Sequence, residues 1–125
     1  MPRRDTPLRL QDIAEAIDRI LRYTAPHTFE SFRGDEMAVD AVVRNFEVIG
    51  EAARHVDSET AARCPDVPWQ DIRDMRNLLM HEYFGVSVAI VWETITRDLP
   101  GVRDAIRIEI ARQSASEADD PPGSV

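Results

Sequence analysis

The chain has 125 residues, with 15 Lys plus Arg against 23 Asp plus Glu and a net charge of −8. That length suits one domain with one core, and 43% hydrophobic residues are too many for a disordered chain. A single cysteine, Cys64, excludes a disulfide scaffold and a zinc finger, and no apolar run is long enough to span a membrane. No apolar stretch follows Met1-Pro2-Arg3-Arg4, so no secretory signal is expected and the chain reads as cytoplasmic. Every cation is Arg. The acidic balance disfavours nucleic-acid binding over the whole surface and leaves room for a local basic cleft.

The absence of Asn-Gly and Asp-Gly pairs argues against hairpins, and apolar residues recur at helical spacing. A first helix is expected from Thr6-Pro7, with Thr6 as N-cap and Leu10, Ile13, Ile17 and Ile20 on one face; Pro26 closes it. A polar connector carrying Phe29 and Phe32 leads to Asp35, the next expected N-cap. In the second helix Val39, Val42, Phe46, Ile49, Ala53 and Val56 share one face. Gly50 inside it costs about 1 kcal/mol relative to Ala, which points to close approach of another helix or a ligand.

Residues 57–68 read as a connector, with room for one short helical turn after Ser58. The third helix is expected from about Trp69 to Tyr83, with Ile72, Met75 and Leu79 inward and Gly85 as its stop. Ser87 is the expected cap of a fourth helix that turns Val88, Trp92, Ile95 and Leu99 inward. Val102, Ile106 and Ile110 continue that phase beyond Pro100, which is expected to kink or split the helix. The predicted fold is all-α, an antiparallel up-and-down bundle of four main helices plus a short C-terminal helix after Pro100. Residues 1–113 would form the helical domain and residues 114–125 a disordered acidic tail.

The segment Arg73 to Phe84 crowds Arg, Asn, His and Tyr at the end of an amphipathic helix. Asn77 and His81 are four apart and share a face, and Arg76 and Tyr83, seven apart, align within about 20°. Arg76 and His81, five apart, diverge on an ideal helix. They meet on one substrate only if the helix ends near His81 or a second copy supplies part of the site. These residue types suit phosphodiester cleavage. His exchanges a proton near neutral pH, and Arg offers a charged fork to phosphate oxygens. Asn77 could orient the imidazole or bind the phosphate. With RNA the ribose 2′-hydroxyl is an internal nucleophile, so no metal is required, and no carboxylates stand at metal-site spacing. The plainer alternative is that His and Arg near a helix C-terminus simply suit the helix dipole.

Arg76, four residues, His81, one residue and Tyr83 resemble the Arg-x4-His-x-Tyr motif of HepT-like proteins, in the HEPN superfamily of small helical nucleases. The segment Arg44 to Ala53 is similar to that family's second-helix signature. Pro68-Trp69, Arg76-Asn77 and His81-Glu82-Tyr83-Phe84-Gly85 are similar to its core signature, and Val91-Trp92 and Asp98-Leu99-Pro100 also fit. The resemblance covers about residues 6 to 112. It implies a metal-independent ribonuclease toxin of a toxin–antitoxin pair, dimeric, with two copies of the motif facing one cleft. It implies as partner an MNT-type nucleotidyltransferase antitoxin that silences the toxin by adding AMP to Tyr83. Such an adduct would occupy the substrate position and bring negative charge to Arg76.

On this resemblance Arg76 and His81 are catalytic, with Asn77, Tyr83, Glu47 and Arg73 in support and no metal or cofactor implied. Glu47 and Glu51 either line the cleft or form a solvated face. Arg44 and Arg54 either contact phosphate or are simply exposed, and Arg73 would extend a basic patch. His27 and His55 read as surface residues, Trp69 and Trp92 as core or dimer-interface anchors, and Cys64 as a small buried hydrophobe. The competing function is a non-catalytic nucleotide- or partner-binding subunit of a nucleotidyltransferase. Metal-free RNA degradation by the pure protein separates the two.

Overall fold

The computed structural model describes residues 5–81 and 88–118, and the side chains of 5–75 and 88–116. Among the described residues the chain is all helix, without a strand. The helices are α1 (Thr6–Thr24), α2 (Phe29–Arg33), α3 (Glu36–Arg54), α4 (Ser58–Arg63), α5 (Trp69–His81), α6 (Val88–Glu93) and α7 (Leu99–Ala118). A π-helical turn, Thr94–Asp98, joins α6 to α7.

α1 buries Leu10, Ile13, Ile17 and Ile20 together with Ala14 and Ala16. Thr6 is not its cap. Asp5 holds the N-cap position, and the Thr6 hydroxyl donates to Asp57 Oδ2 at 3.0 Å, across 51 residues of sequence. The connector after Pro26 holds a helix of its own, α2, closed by a capping box in which Thr28 and Ser31 each accept the other's backbone N–H. Its Phe32 is fully buried, with its ring 5.2 Å from that of Trp92. Asp35 does cap α3, accepting from the Ala38 N–H at 3.0 Å. The α3 face carrying Val42, Phe46, Ile49 and Ala53 is buried, and Gly50 with it.

α1 and α3 pack antiparallel, tied near both ends. Thr6 meets Asp57 at one end, and at the other Arg19 Nε donates to the buried Asn45 Oδ1 at 2.8 Å. α1 also packs against α7, α3 against α5, and α2 against both α3 and α6. Arg103 and Arg107 of α7 both pair with Asp18 of α1. α4 is capped by Asp57, which accepts from the Thr60 N–H at 2.7 Å. The Trp69 indole N–H then reaches the carbonyls of Ala61 and Cys64, each at 3.2 Å, and fixes the start of α5 against α4.

Pro100 does not split the last helix. It sits in the first turn of α7, where a missing N–H is tolerated. The turn before it widens instead, with the Leu99 N–H reaching back five residues to the Thr94 carbonyl. The Thr94 and Thr96 hydroxyls bond the carbonyls of Ile90 and Trp92, at 2.9 and 3.0 Å. α7 is 20 residues long rather than short, and it passes the expected boundary at Gln113 to reach Ala118. Alanine and glutamate in Ser114-Ala115-Ser116-Glu117-Ala118 are good helix formers, so the polar composition there did not stop the helix.

Candidate functional site

The motif helix α5 is held from below and from the side. Ile72 and Met75 pack partly buried against the core. Arg73 donates to the Ala53 carbonyl in the last turn of α3, at 3.2 Å. Arg73 therefore serves a helix C-terminus, where the dipole favours a cation, and its Ala53 acceptor also takes the Val56 N–H at 3.3 Å. That use differs from the basic patch expected of it. Arg76, Asn77 and His81 are positions on α5, and their side chains lie outside the described residues, as do Leu79's side chain and the whole of Tyr83, Gly85 and Ser87. Arg76 and His81 are separated by about 7.5 Å along the helix axis.

The neighbouring helix supplies a second group of polar side chains. A groove of about 360 Å³ between α1 and α3 is lined by Arg9, Asp12, Arg44, Glu47, Val48, Glu51 and Ala52. Glu47 and Glu51 line this groove and stay solvated, at 35% and 44% side-chain exposure. Arg44 is 77% exposed and stands 3.8 Å from Glu47. Arg54 and His55 both approach Glu51, at 3.1 and 3.3 Å. Among the described residues no three His, Cys, Asp or Glu side chains are grouped as a metal site would need.

His27 lies at the surface, partly covered. Its side chain is 17% exposed, Nδ1 lies 2.9 Å from Ser31 Oγ, and the ring stands edge-on to Phe32. His55 is half-buried. Trp69 and Cys64 are buried in the core, and Trp92 packs against it half-buried.

Among the described residues, the most perturbed carboxylate had no signal in the residue spacing that sequence reading follows. Glu109 of α7 is 4% exposed and accepts from Arg112 at 2.7 and 2.9 Å, from Gln113 at 2.9 Å and from Arg63 of α4 at 3.1 Å. The Arg112 hydrogen bonds lead in holding its carboxyl down, to about 2, against the opposing effect of burial. Arg112 is raised in turn by the same contact. Glu109 saturates its acceptors with partners on α4 and α7, so it ties helices and is not poised for proton transfer. The Asp57 carboxyl is lowered mainly by the Thr60 backbone N–H, and burial raises the Cys64 thiol.

Among the described residues no helix is long and apolar enough to cross a membrane. The family described as "Ribonuclease HepT-like" matches residues 13–108. A protein of Thermococcus cleftensis named "Probable ribonuclease HepT" is 39% identical over 94 residues, which cover 75% of this chain and 86% of that protein. Two Methanocaldococcus jannaschii proteins named as candidate RNases are 32% identical over 108 residues and 37% identical over 103 residues. The matches cover 86% and 82% of this chain, and 99% and 85% of those proteins. No solved structure matches. With the family match spanning most of the helical bundle and relatives aligned over nearly their full length, this chain belongs to the HepT-like ribonuclease family.

Proposed function

We propose that this chain is a metal-independent endoribonuclease, the toxin of a toxin–antitoxin pair, acting in the cytoplasm as a homodimer with its active site at the interface. Membership of the HepT-like ribonuclease family carries the reading. The placement of Arg76, Asn77 and His81 on one helix anchored to α3 by Arg73 supports it. His81 takes the proton from the ribose 2′-hydroxyl as the 2′-oxygen attacks phosphorus. The new 2′-O–P bond forms, the P–O5′ bond breaks, and the departing 5′-oxygen takes a proton from an imidazolium. Two copies of the motif across a dimer cleft supply the base and the acid together, which removes the difficulty that Arg76 and His81 diverge on one helix. Arg76 holds the non-bridging oxygens and the charge that builds on them. Asn77 orients the imidazole, Glu47 accepts from the substrate's hydroxyls, and Arg73 positions the helix.

The products of this chemistry are a 2′,3′-cyclic phosphate and a 5′-hydroxyl. End-group analysis of cleaved RNA tests it, and a substrate lacking the 2′-hydroxyl at the cleaved position should resist. Fragments ending in a free 3′-hydroxyl and a 5′-phosphate would refute attack by the 2′-oxygen. The cognate MNT-type nucleotidyltransferase neutralises the toxin by AMPylation of Tyr83. With ATP it should add AMP to the wild-type chain and leave Tyr83→Phe unmodified. Equal labelling of both chains would move the modification elsewhere.

A further inference from the structure

The buried network around Glu109 takes no part in the proposed cleavage chemistry, yet it leads to the motif helix. Glu109 of α7 accepts from Arg63 Nε at 3.1 Å, and Arg63 is the last residue of α4. The same guanidinium folds back on its own helix, donating to the Thr60 hydroxyl at 3.1 Å and standing 3.5 Å from Glu59. The end of α4 is thereby pinned to α7. Ala61 and Cys64 flank Arg63 in sequence, and their carbonyls both accept from the Trp69 indole N–H, at 3.2 Å each. Trp69 is the first residue of α5, and its ring is buried. A continuous chain of contacts therefore runs from α7 through α4 to the start of the helix that carries Arg76, Asn77 and His81.

The chain meets α5 where it has leverage. The helix is held again in its middle, by Ile72 and Met75 against the core and by Arg73 on the Ala53 carbonyl. A helix this short moves as a stiff rod about that middle contact. Trp69 lies about 6 Å before Arg73 along the axis, and His81 about 12 Å after it. A shift of about 0.5 Å at Trp69 therefore swings the His81 backbone by about 1 Å the other way. A misplacement of about 1 Å costs on the order of 100-fold in rate where reacting groups must be aligned.

The same contacts matter less to the fold. Without the indole donor the Ala61 carbonyl keeps the Cys64 N–H at 3.0 Å, and the Cys64 carbonyl keeps the Val67 N–H at 3.1 Å. Without Arg63, Glu109 keeps Arg112 and Gln113. No buried acceptor is orphaned in either case, so the heavy penalty for an unpaired polar group does not arise.

We infer that Glu109, Arg63 and Trp69 are positioning residues that act as one chain to set the direction of the motif helix α5, and with it the placement of His81. This deepens the ribonuclease reading and rests on it. The test compares full-length wild type, Arg63→Met, Trp69→Phe and the double variant. Ile20→Val, a truncation in the buried face of α1, serves as the control for lost stability. Each is checked for an unchanged helical signal at the assay temperature. On RNA each single change should lower kcat about 10- to 100-fold with KM within about twofold of wild type. The double variant should lose little more than the larger single loss, because both changes cut one chain, and Ile20→Val should keep its kcat. Multiplied losses in the double variant would overturn the chain by making the two residues independent. Retained kcat in both single variants would overturn it, and so would an equal loss in Ile20→Val, which would reduce the effect to general destabilisation.

Hydrogen exchange reads the same chain without any activity. Amides of α5 should exchange several-fold faster in each single variant, relative to those of α1, and little faster again in the double. Unchanged relative exchange in α5 would overturn the proposal. If α5 responds as expected while wild type cuts no RNA, the chain stands as the device that orients α5 and the ribonuclease reading fails.

Discussion

Replacing Glu109 by Gln should destabilise the protein at neutral pH and leave it almost unaffected in strong acid. The side chain is 4% exposed and its carboxyl is lowered from the ordinary 4.5 to about 2. A depression of that size corresponds to about 3 kcal/mol of stability. Arg63 and Arg112 are 34% and 47% exposed, so solvent screening reduces the figure, and about 2 kcal/mol is the working value. The sign follows from the direction of the shift. The unfolded chain takes up the proton first, near pH 4.5, so the contribution is complete above that value. It drains away as the pH falls toward about 2, where the folded state is protonated as well. Urea unfolding followed by circular dichroism, on wild type and Glu109→Gln from neutral pH down to about pH 2.5, measures it. The gap should be about 2 kcal/mol at neutral pH and should close through the acid range. Equal stability at neutral pH, or a gap constant through acid, would refute the tie between α4 and α7.

Other consequences follow from single contacts. Phe32→Ala empties a fully buried position against Trp92 and should cost about 3–5 kcal/mol in chemical denaturation; a loss under about 1 kcal/mol would mean that α2 is not an anchored part of the core. Asp57→Ala removes both the α4 cap and the acceptor of Thr6, for about 1–2 kcal/mol. Since the Asp57 carboxyl is lowered, that difference should be full at neutral pH and shrink below the ordinary carboxylate range, as an acid titration of the two melting curves would show. Arg73→Met should cost about 1 kcal/mol by removing the charged donor from the Ala53 carbonyl, which keeps the Val56 N–H, and hydrogen exchange should speed up in α5 before it does in α1.

What the sequence disclosed depended on how local the cause was. The α3 face was legible because Val42, Phe46, Ile49 and Ala53 repeat at three and four, and Asp35 because its cap partner is three residues away. α2 was hidden because five residues are too few for a periodic pattern, and its capping box uses Thr28 and Ser31, which also read as loop. Thr6 looked like a cap and is instead a cross-link to Asp57, a partner no local rule points to. Glu109 sat in a helix whose polar and apolar residues segregate poorly, and one of its partners, Arg63, lies 46 residues away. Pro100 was rightly marked as a disturbance, but the chain absorbs it by widening one turn, since a proline entering a first turn needs no partner for its missing N–H. At the site, sequence reading placed Arg76, Asn77 and His81 on one helix, and α5 carries them. The α1–α3 groove was not legible, because Arg9 and Arg44 come to line one space only by the packing of α1 on α3.

The central claim is that His81 performs RNA cleavage without a metal ion. The direct measurement is cleavage of RNA by the purified protein with a chelator present, wild type beside His81→Ala, with the intact mass of each chain recorded so that AMP on Tyr83 does not mask activity. Cleavage that survives the chelator and disappears in the folded variant is the predicted result. Undiminished cleavage by His81→Ala, or cleavage that stops when the chelator is added, would contradict it.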